Sequence, residues 1–235
     1  MPREDTAKVS PANIDVDRRD LARSRARTYQ TLSLMYTEPV NERSLALLRS
    51  WTILGNQLPS GGFQETIKRG LKKIEEHLDQ AGHKSSAELL DTLAEAFTSL
   101  FRGLSAFHSP PPPYESVYVD GGVLYGLSTD RVATRYRKFG LEVQPNEPPD
   151  HIALELDFMR FLCEKEAESW QSEKGGWDVI KEEDAFLSEH LALWVPALCE
   201  SIRNFDATGL YSGLADVTEG WIGCDREIIL GLADL

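Results

Sequence analysis

Cysteine is scarce: three residues in 235, Cys163, Cys199 and Cys224, are too few and too scattered for a disulfide framework or a zinc site. Reduced, mostly buried thiols in a cytoplasmic protein are the expectation. No apolar run approaches the roughly 20 residues that cross a bilayer, so no membrane insertion is expected. The opening MPREDTAKVSPANIDVDRRD has no apolar core of the export-signal kind, and the run through Arg23, Arg25 and Arg27 is too charged to supply one after Arg18-Arg19. Glycine-rich phosphate loops are missing, since Gly61-Gly62 and Gly121-Gly122 are isolated pairs. HExxH, CxxC and GxSxG are missing too. Positive charge is short: 25 Lys and Arg stand against 38 Asp and Glu, a net of −13. That excludes nucleic acid, whose phosphates would be repelled, and admits a cationic partner.

What is present is a helical pattern. With 41% hydrophobic and 27% charged residues, the chain has the composition of a globular protein with a sizeable core. Residues 1–16 read as a disordered tail, 17–224 as one all-α bundle of about eight to ten helices, and 225–235 as a tail that adds a turn or frays. The spacing predicts helices from Asp17 to Tyr36, Glu42 to Leu54 and Phe63 to Ala81, the last closed by Gly82. A fourth follows the Ser85-Ser86-x-Glu88 cap and runs to Leu104. Ser128-Thr129 read as the cap of a helix reaching Phe139. The most apolar helix runs from Asp150 to about Trp170 and should be central. Glu182 to Phe205 follows, kinked at Pro196, and then a last helix over Leu210 to Trp221. Between Glu142 and Glu189 lie fourteen acidic residues against four basic, read as a solvated acidic surface, with Glu164 to Glu189 as an adaptor's binding face in a third reading.

Pro110 to Cys163 departs from this regularity. The proline run cannot continue a helix. Tyr114 to Tyr125 reads as an ordered loop, because Gly121-Gly122 interrupts its valines and no second run pairs with them. Tyr114 and Tyr118 either staple that loop to the bundle or form a rim for a peptide, with Ser116 bonding to its backbone. Asp150 and His151 are neighbours that point about 100° apart, so they form no dyad. Asp150, or Asn146, suits the N-cap, and His151 suits a neutral fixture in the first turn. His151 and Glu155 share a helix face but are a weak metal pair, and no metal or cofactor is assigned. A small hydrolase or nucleotide-binding protein using Asp150, His151 and Glu155 stays open as the alternative.

Tyr114-x-Ser-x-Tyr118, followed by Glu147-Pro-x-Asp-His151 and an apolar helix, resembles the TorD/DmsD group of redox-enzyme maturation chaperones, which includes NarJ-type proteins. Glu189-His-Leu-Ala-Leu-Trp-Val-Pro196 and Leu210-Tyr-Ser-Gly-Leu-Ala215 are similar to the group's C-terminal helices, so the resemblance covers about Leu89 to Trp221. It implies an all-helical, non-enzymatic cytoplasmic protein. Such a protein binds the twin-arginine signal peptide, and often the body, of a molybdopterin oxidoreductase catalytic-subunit precursor until its cofactor is inserted. By the same resemblance Glu147, Pro148, Asp150 and His151 belong to the signal-peptide segment, with Pro113, Tyr114, Ser116 and Tyr118 beside it. Members often carry tryptophan where this chain has its tyrosines.

Overall fold

The periodic segments become helices, with several ends displaced from the expected boundaries. The structure is a computed structural model that describes residues 11–55, 58, 61–83, 85–102, 109–142, 147–170 and 176–233. Helices α1 (Pro11–Thr37), α2 (Glu42–Gly55), α3 (Gly62–Gln80) and α4 (Ser86–Phe101) come first. Then follow α5 (Glu115–Val119), α6 (Leu127–Lys138), α7 (Ile152–Ser169), α8 (Trp177–Phe186), α9 (Ala192–Phe205) and α10 (Leu210–Ala233). This is the single all-α bundle the periodicity predicts.

The expected capping box forms: the Glu88 amide donates to Ser85 Oγ, and the Ser85 amide to Glu88 Oε2. Other expectations are corrected. Helix α1 begins at Pro11, six residues before Asp17, with proline at a first-turn position that needs no N–H; residues 1–10 of the expected tail lie outside the described residues. Ala81, not Gly82, caps α3, and a 3-10 turn follows. Leu104, the expected end of the fourth helix, lies outside the described residues, as do Asn146 and Gly175. The expected loop after Tyr114 contains α5. Helix α6 starts after Gly126, so Ser128 and Thr129 lie inside it and do not cap it. Residues 225–233 do not form a tail but continue α10, because Asp225 is wholly buried and bonded.

The helix expected from Glu182 to Phe205 starts at Trp177 and is broken by a π-turn, Leu187–Leu191, in which the Ala192 amide donates to the Leu187 carbonyl. Pro196 cannot donate to the Ala192 carbonyl, and the widened turn just ahead of it absorbs the lost register.

Helix α1 lies along α7, and α3 along α10. The α3–α10 approach is close enough that a Cβ on Gly70 would sit 2.5 Å from the Gly213 carbonyl oxygen. A buried ion cluster joins α1, α7, α8 and α10. Arg25 donates to Asp225 Oδ1 at 2.5 Å, Glu166 Oε2 at 2.6 Å and Glu183 Oε2 at 2.6 Å, and Tyr29 Oη donates to Asp225 Oδ2 at 2.7 Å. Three carboxylates around one guanidinium carry excess negative charge, and burial pushes the Glu166 and Glu183 carboxyls up.

The acidic stretch is therefore not simply a solvated surface. Among its described carboxylates five are buried: Asp150, Glu155, Glu166, Glu182 and Glu183. Glu182 pairs with Arg135 and Lys138. The three cysteines are buried free thiols, as expected. Arg25→Ala strands the carboxylates it holds and should lower unfolding stability by about 3–5 kcal/mol. Urea unfolding followed by far-UV dichroism measures this, and an unchanged midpoint would show that the cluster does not hold the helices.

Candidate functional site

The two punctuated motifs meet as a single antiparallel bridge between Tyr114 and His151. Two backbone bonds flank it: the Glu115 amide donates to the Asp150 carbonyl at 2.9 Å, and the Ile152 amide to the Pro113 carbonyl at 3.0 Å. Proline supplies no amide but leaves its carbonyl free, so the proline run can end on such a bridge. The residue after it then turns into α5.

Asp150 is fully buried and is not the N-cap. Its Oδ2 accepts the Ser116 amide at 2.9 Å, tying the start of α5 to the segment before α7. Asp150 Oδ1 and Ser116 Oγ are also buried, with no hydrogen-bond partner among the described residues. His151 takes the capping role, its Nδ1 accepting the Ala153 amide at 3.2 Å. A ring that accepts at Nδ1 carries its single proton on Nε2. Burial pushes the imidazole down to about 4, so neutrality and capping agree. The Tyr114 ring meets the His151 ring edge to face at 5.0 Å, and Tyr114 Oη donates to Glu147 Oε1 at 2.7 Å.

Under the bridge lies a polar cluster that sequence reasoning passed over. Glu115 Oε2 and His190 Nδ1 are 2.8 Å apart and buried. Trp194 Nε1 donates to Glu155 Oε2 at 3.2 Å. Burial, with the Glu115 carboxyl next to it, pushes Glu155 well above the usual carboxylate range. The Tyr118 ring packs 5.5 Å from the Trp194 ring, and its hydroxyl donates to the Pro111 carbonyl. The one available signal was the His190/Trp194 spacing, two polar-tipped residues on an apolar helix face. It does not say that both would meet acids from α5 and α7.

The predicted residues thus divide. Pro113, Ser116, Pro148 and Asp150 are buried and hold the two segments together. Tyr114, Tyr118, Glu147 and His151 reach the surface in part. Beside Glu147 opens a cleft of about 350 Å³ with Leu154, Phe158 and Phe161 in its lining and Glu142, Glu147 and Asp157 bringing acidic groups to it. The hydrolytic alternative fails on this geometry. The Asp150 carboxylate binds an amide, His151 Nδ1 serves as a cap and Glu155 accepts from Trp194, so each is committed to a structural partner. Among the described residues, no group of three or more His, Cys, Asp or Glu could hold a metal ion.

The family model described as nitrate reductase delta subunit matches residues 61–200, which contain both motifs and the polar cluster. The chain belongs to the nitrate reductase delta subunit family. Within 211 aligned residues it is 30% identical to the chaperone protein TorD of Vibrio cholerae strain M66-2, covering 89% of this chain and 93% of that one. TorD of Vibrio parahaemolyticus is 27% identical, with coverage of 88% and 95%. The perchlorate reductase assembly chaperone protein of Dechloromonas aromatica is 31% identical over 143 residues, 58% of this chain and 62% of that one. Among the described residues of this family member, no helix is long and apolar enough to cross a membrane.

The capping geometry predicts that the His151 imidazole titrates near 4 in the folded protein, against 6.5 ordinarily. NMR of the ring protons measures it. Because the folded value lies below the ordinary one, the stability this ring contributes is complete above pH 6.5 and is lost as pH falls through 4. A midpoint near 6.5 would mean a solvated ring and no cap.

Proposed function

We propose that this protein is a cytoplasmic maturation chaperone that binds the precursor of a molybdopterin oxidoreductase through its twin-arginine signal peptide, with or without the body of the enzyme. It would hold the precursor until cofactor insertion and so delay export. The observation that carries this reading is family membership, with relatives over nearly the whole chain named as chaperones. The geometry supports it through the bridge, which presents Tyr114, Glu147 and His151 from a rigid support beside an acidic, apolar-lined cleft.

A guanidinium finds planar acceptors at Glu147 and Glu142, while Asp157 is already paired with Arg160. Glu147 has one oxygen committed to Tyr114 and the other free for a charge-assisted bond. The neutral His151 ring adds no cation to repel an arginine. Asp150, Ser116, Pro113 and Pro148 contribute by fixing these groups in place and not by touching the peptide. Binding energy of this kind needs no proton transfer, so the function is that of a binding protein and not of a catalyst.

Calorimetric titration with a synthetic peptide carrying an Arg-Arg pair ahead of an alanine–leucine stretch tests the reading. Binding in the micromolar range is expected. Glu147→Gln should weaken it about five- to tenfold by removing one charge-assisted bond, and Asp150→Ala should weaken it further by freeing the bridge while the helical signal stays. Absence of binding by the peptide and by a full-length precursor would overturn the proposal.

A further inference from the structure

The buried cluster at Arg25 contains more acid than base. One guanidinium on α1 meets Glu166 on α7, Glu183 on α8 and Asp225 on α10. The Tyr29 hydroxyl on α1 and the Cys163 thiol on α7 also face it, and burial, pushing both well above their ordinary values, keeps their protons on. Arg25 is the one cation among these groups. With all three acids ionised, two negative charges would stand uncompensated out of water, which the interior penalises heavily.

The hydrogen bonds distinguish the three acids. Glu166 accepts at both oxygens, from Arg25 at 2.6 Å and from Trp170 Nε1 at 2.9 Å. Asp225 also accepts at both, from Arg25 at 2.5 Å on Oδ1 and from Tyr29 Oη at 2.7 Å on Oδ2. Glu183 accepts from Arg25 at Oε2, while its Oε1 is buried with no hydrogen-bond partner among the described residues. An ionised carboxyl shares its charge between both oxygens, so ionising Glu183 would leave charge on an atom that no donor meets. Protonating Oε1 removes that charge, and Oε2 still accepts from Arg25 as a carbonyl oxygen. Burial pushes the Glu183 carboxyl up to about 8, with Arg25 opposing the rise and Glu166 and Asp225 reinforcing it. The Glu166 carboxyl is pushed up too, but its two donors favour the anion there.

We propose that the cluster holds one proton, on Glu183 Oε1, and that this proton latches α8 to the frame, so that opening of α8 at neutral pH releases it. Glu182, one residue earlier, bonds to Arg135 and Lys138 on α6, so α8 is gripped on two sides and Glu183 is its inward hold. Once α8 opens, the Glu183 carboxyl meets water and ionises at its ordinary value, 4.5. The folded value lies above the ordinary one. The stability this group contributes is therefore complete below pH 4.5 and is lost as pH rises through about 8. The latch is firm in acid and loose in base, opposite in sign to the His151 cap.

Hydrogen exchange on the full chain tests the latch. Above pH 6.5 the His151 ring is neutral in the folded and the open chain alike, so the window from there to pH 8 isolates the cluster. Across it, protection of the α8 amides should fall about tenfold per pH unit, beyond the intrinsic rise in exchange. In Glu183→Gln, whose amide stands in for the neutral acid, this dependence should vanish, and protection at pH 8 should exceed that of the unaltered chain. An infrared difference between the two proteins at pH 6.5 should show one neutral carboxylic-acid carbonyl band in the unaltered chain, which Glu183→Gln lacks and which disappears above pH 8. A Glu183→Gln protein that unfolds, or is less protected than the unaltered chain at pH 8, shows that the anion holds α8 and overturns the proposal. Equal pH dependence in the two proteins, or no acid band lost, overturns it as well.

Discussion

The desolvated guanidinium of Arg25 fixes the frame. It takes one carboxylate each from α7, α8 and α10 while standing on α1, so four helices are set at one point by directional bonds. Hydrophobic burial alone would let α7 slide against α1, because apolar contact is nearly indifferent to small shifts along an axis. Hydrogen bonds of 2.5–2.6 Å are not. Their consequence appears at the other end of α7, where His151 and Asp150 must meet the Pro113–Ser116 segment within hydrogen-bonding distance. Ser33 on α1 repeats the constraint near that end, donating to the Ala153 carbonyl at 2.8 Å.

From that anchored end the bridge is built by a division of labour within one motif. Asp150 faces inward and spends its carboxylate on the Ser116 amide. His151, one residue on, caps α7 and presents its ring to Tyr114. Adjacent residues can serve opposite sides because both lie outside the helix proper, Asp150 in a turn and His151 in extended backbone. Glu147 remains as the charged group with a free oxygen. Asp150 thus belongs to the support and Glu147 to the surface.

The helices were legible because their apolar spacing is strong: α3 and α7 follow from steps of three and four, and the Ser85/Glu88 box from its spelling. The pairing of the two motifs was legible only through resemblance, since nothing local in either segment names the other as its partner. Asp150 reads as a cap because aspartate before an apolar helix usually is one. A long-range amide from Ser116 outbid that role, and histidine filled the vacancy. The extension of α10 past Cys224 was missed for a similar reason. Asp225-Arg226-Glu227 looks like a solvated end, yet Asp225 is the residue Arg25 grips.

The polar cluster beneath the bridge ties α5 to the π-turn. Glu115 belongs to the bridge segment, and its partner His190 sits on the π-turn. In the π-turn and the helix that follows it, His190 lies inside while Leu193 points out. Burial and the Glu115 carboxyl beside it push the Glu155 carboxyl well above the usual range. A displacement at the bridge would have to move Glu115 against His190, and through it the π-turn. Bridge and π-turn are thus parts of one connected unit.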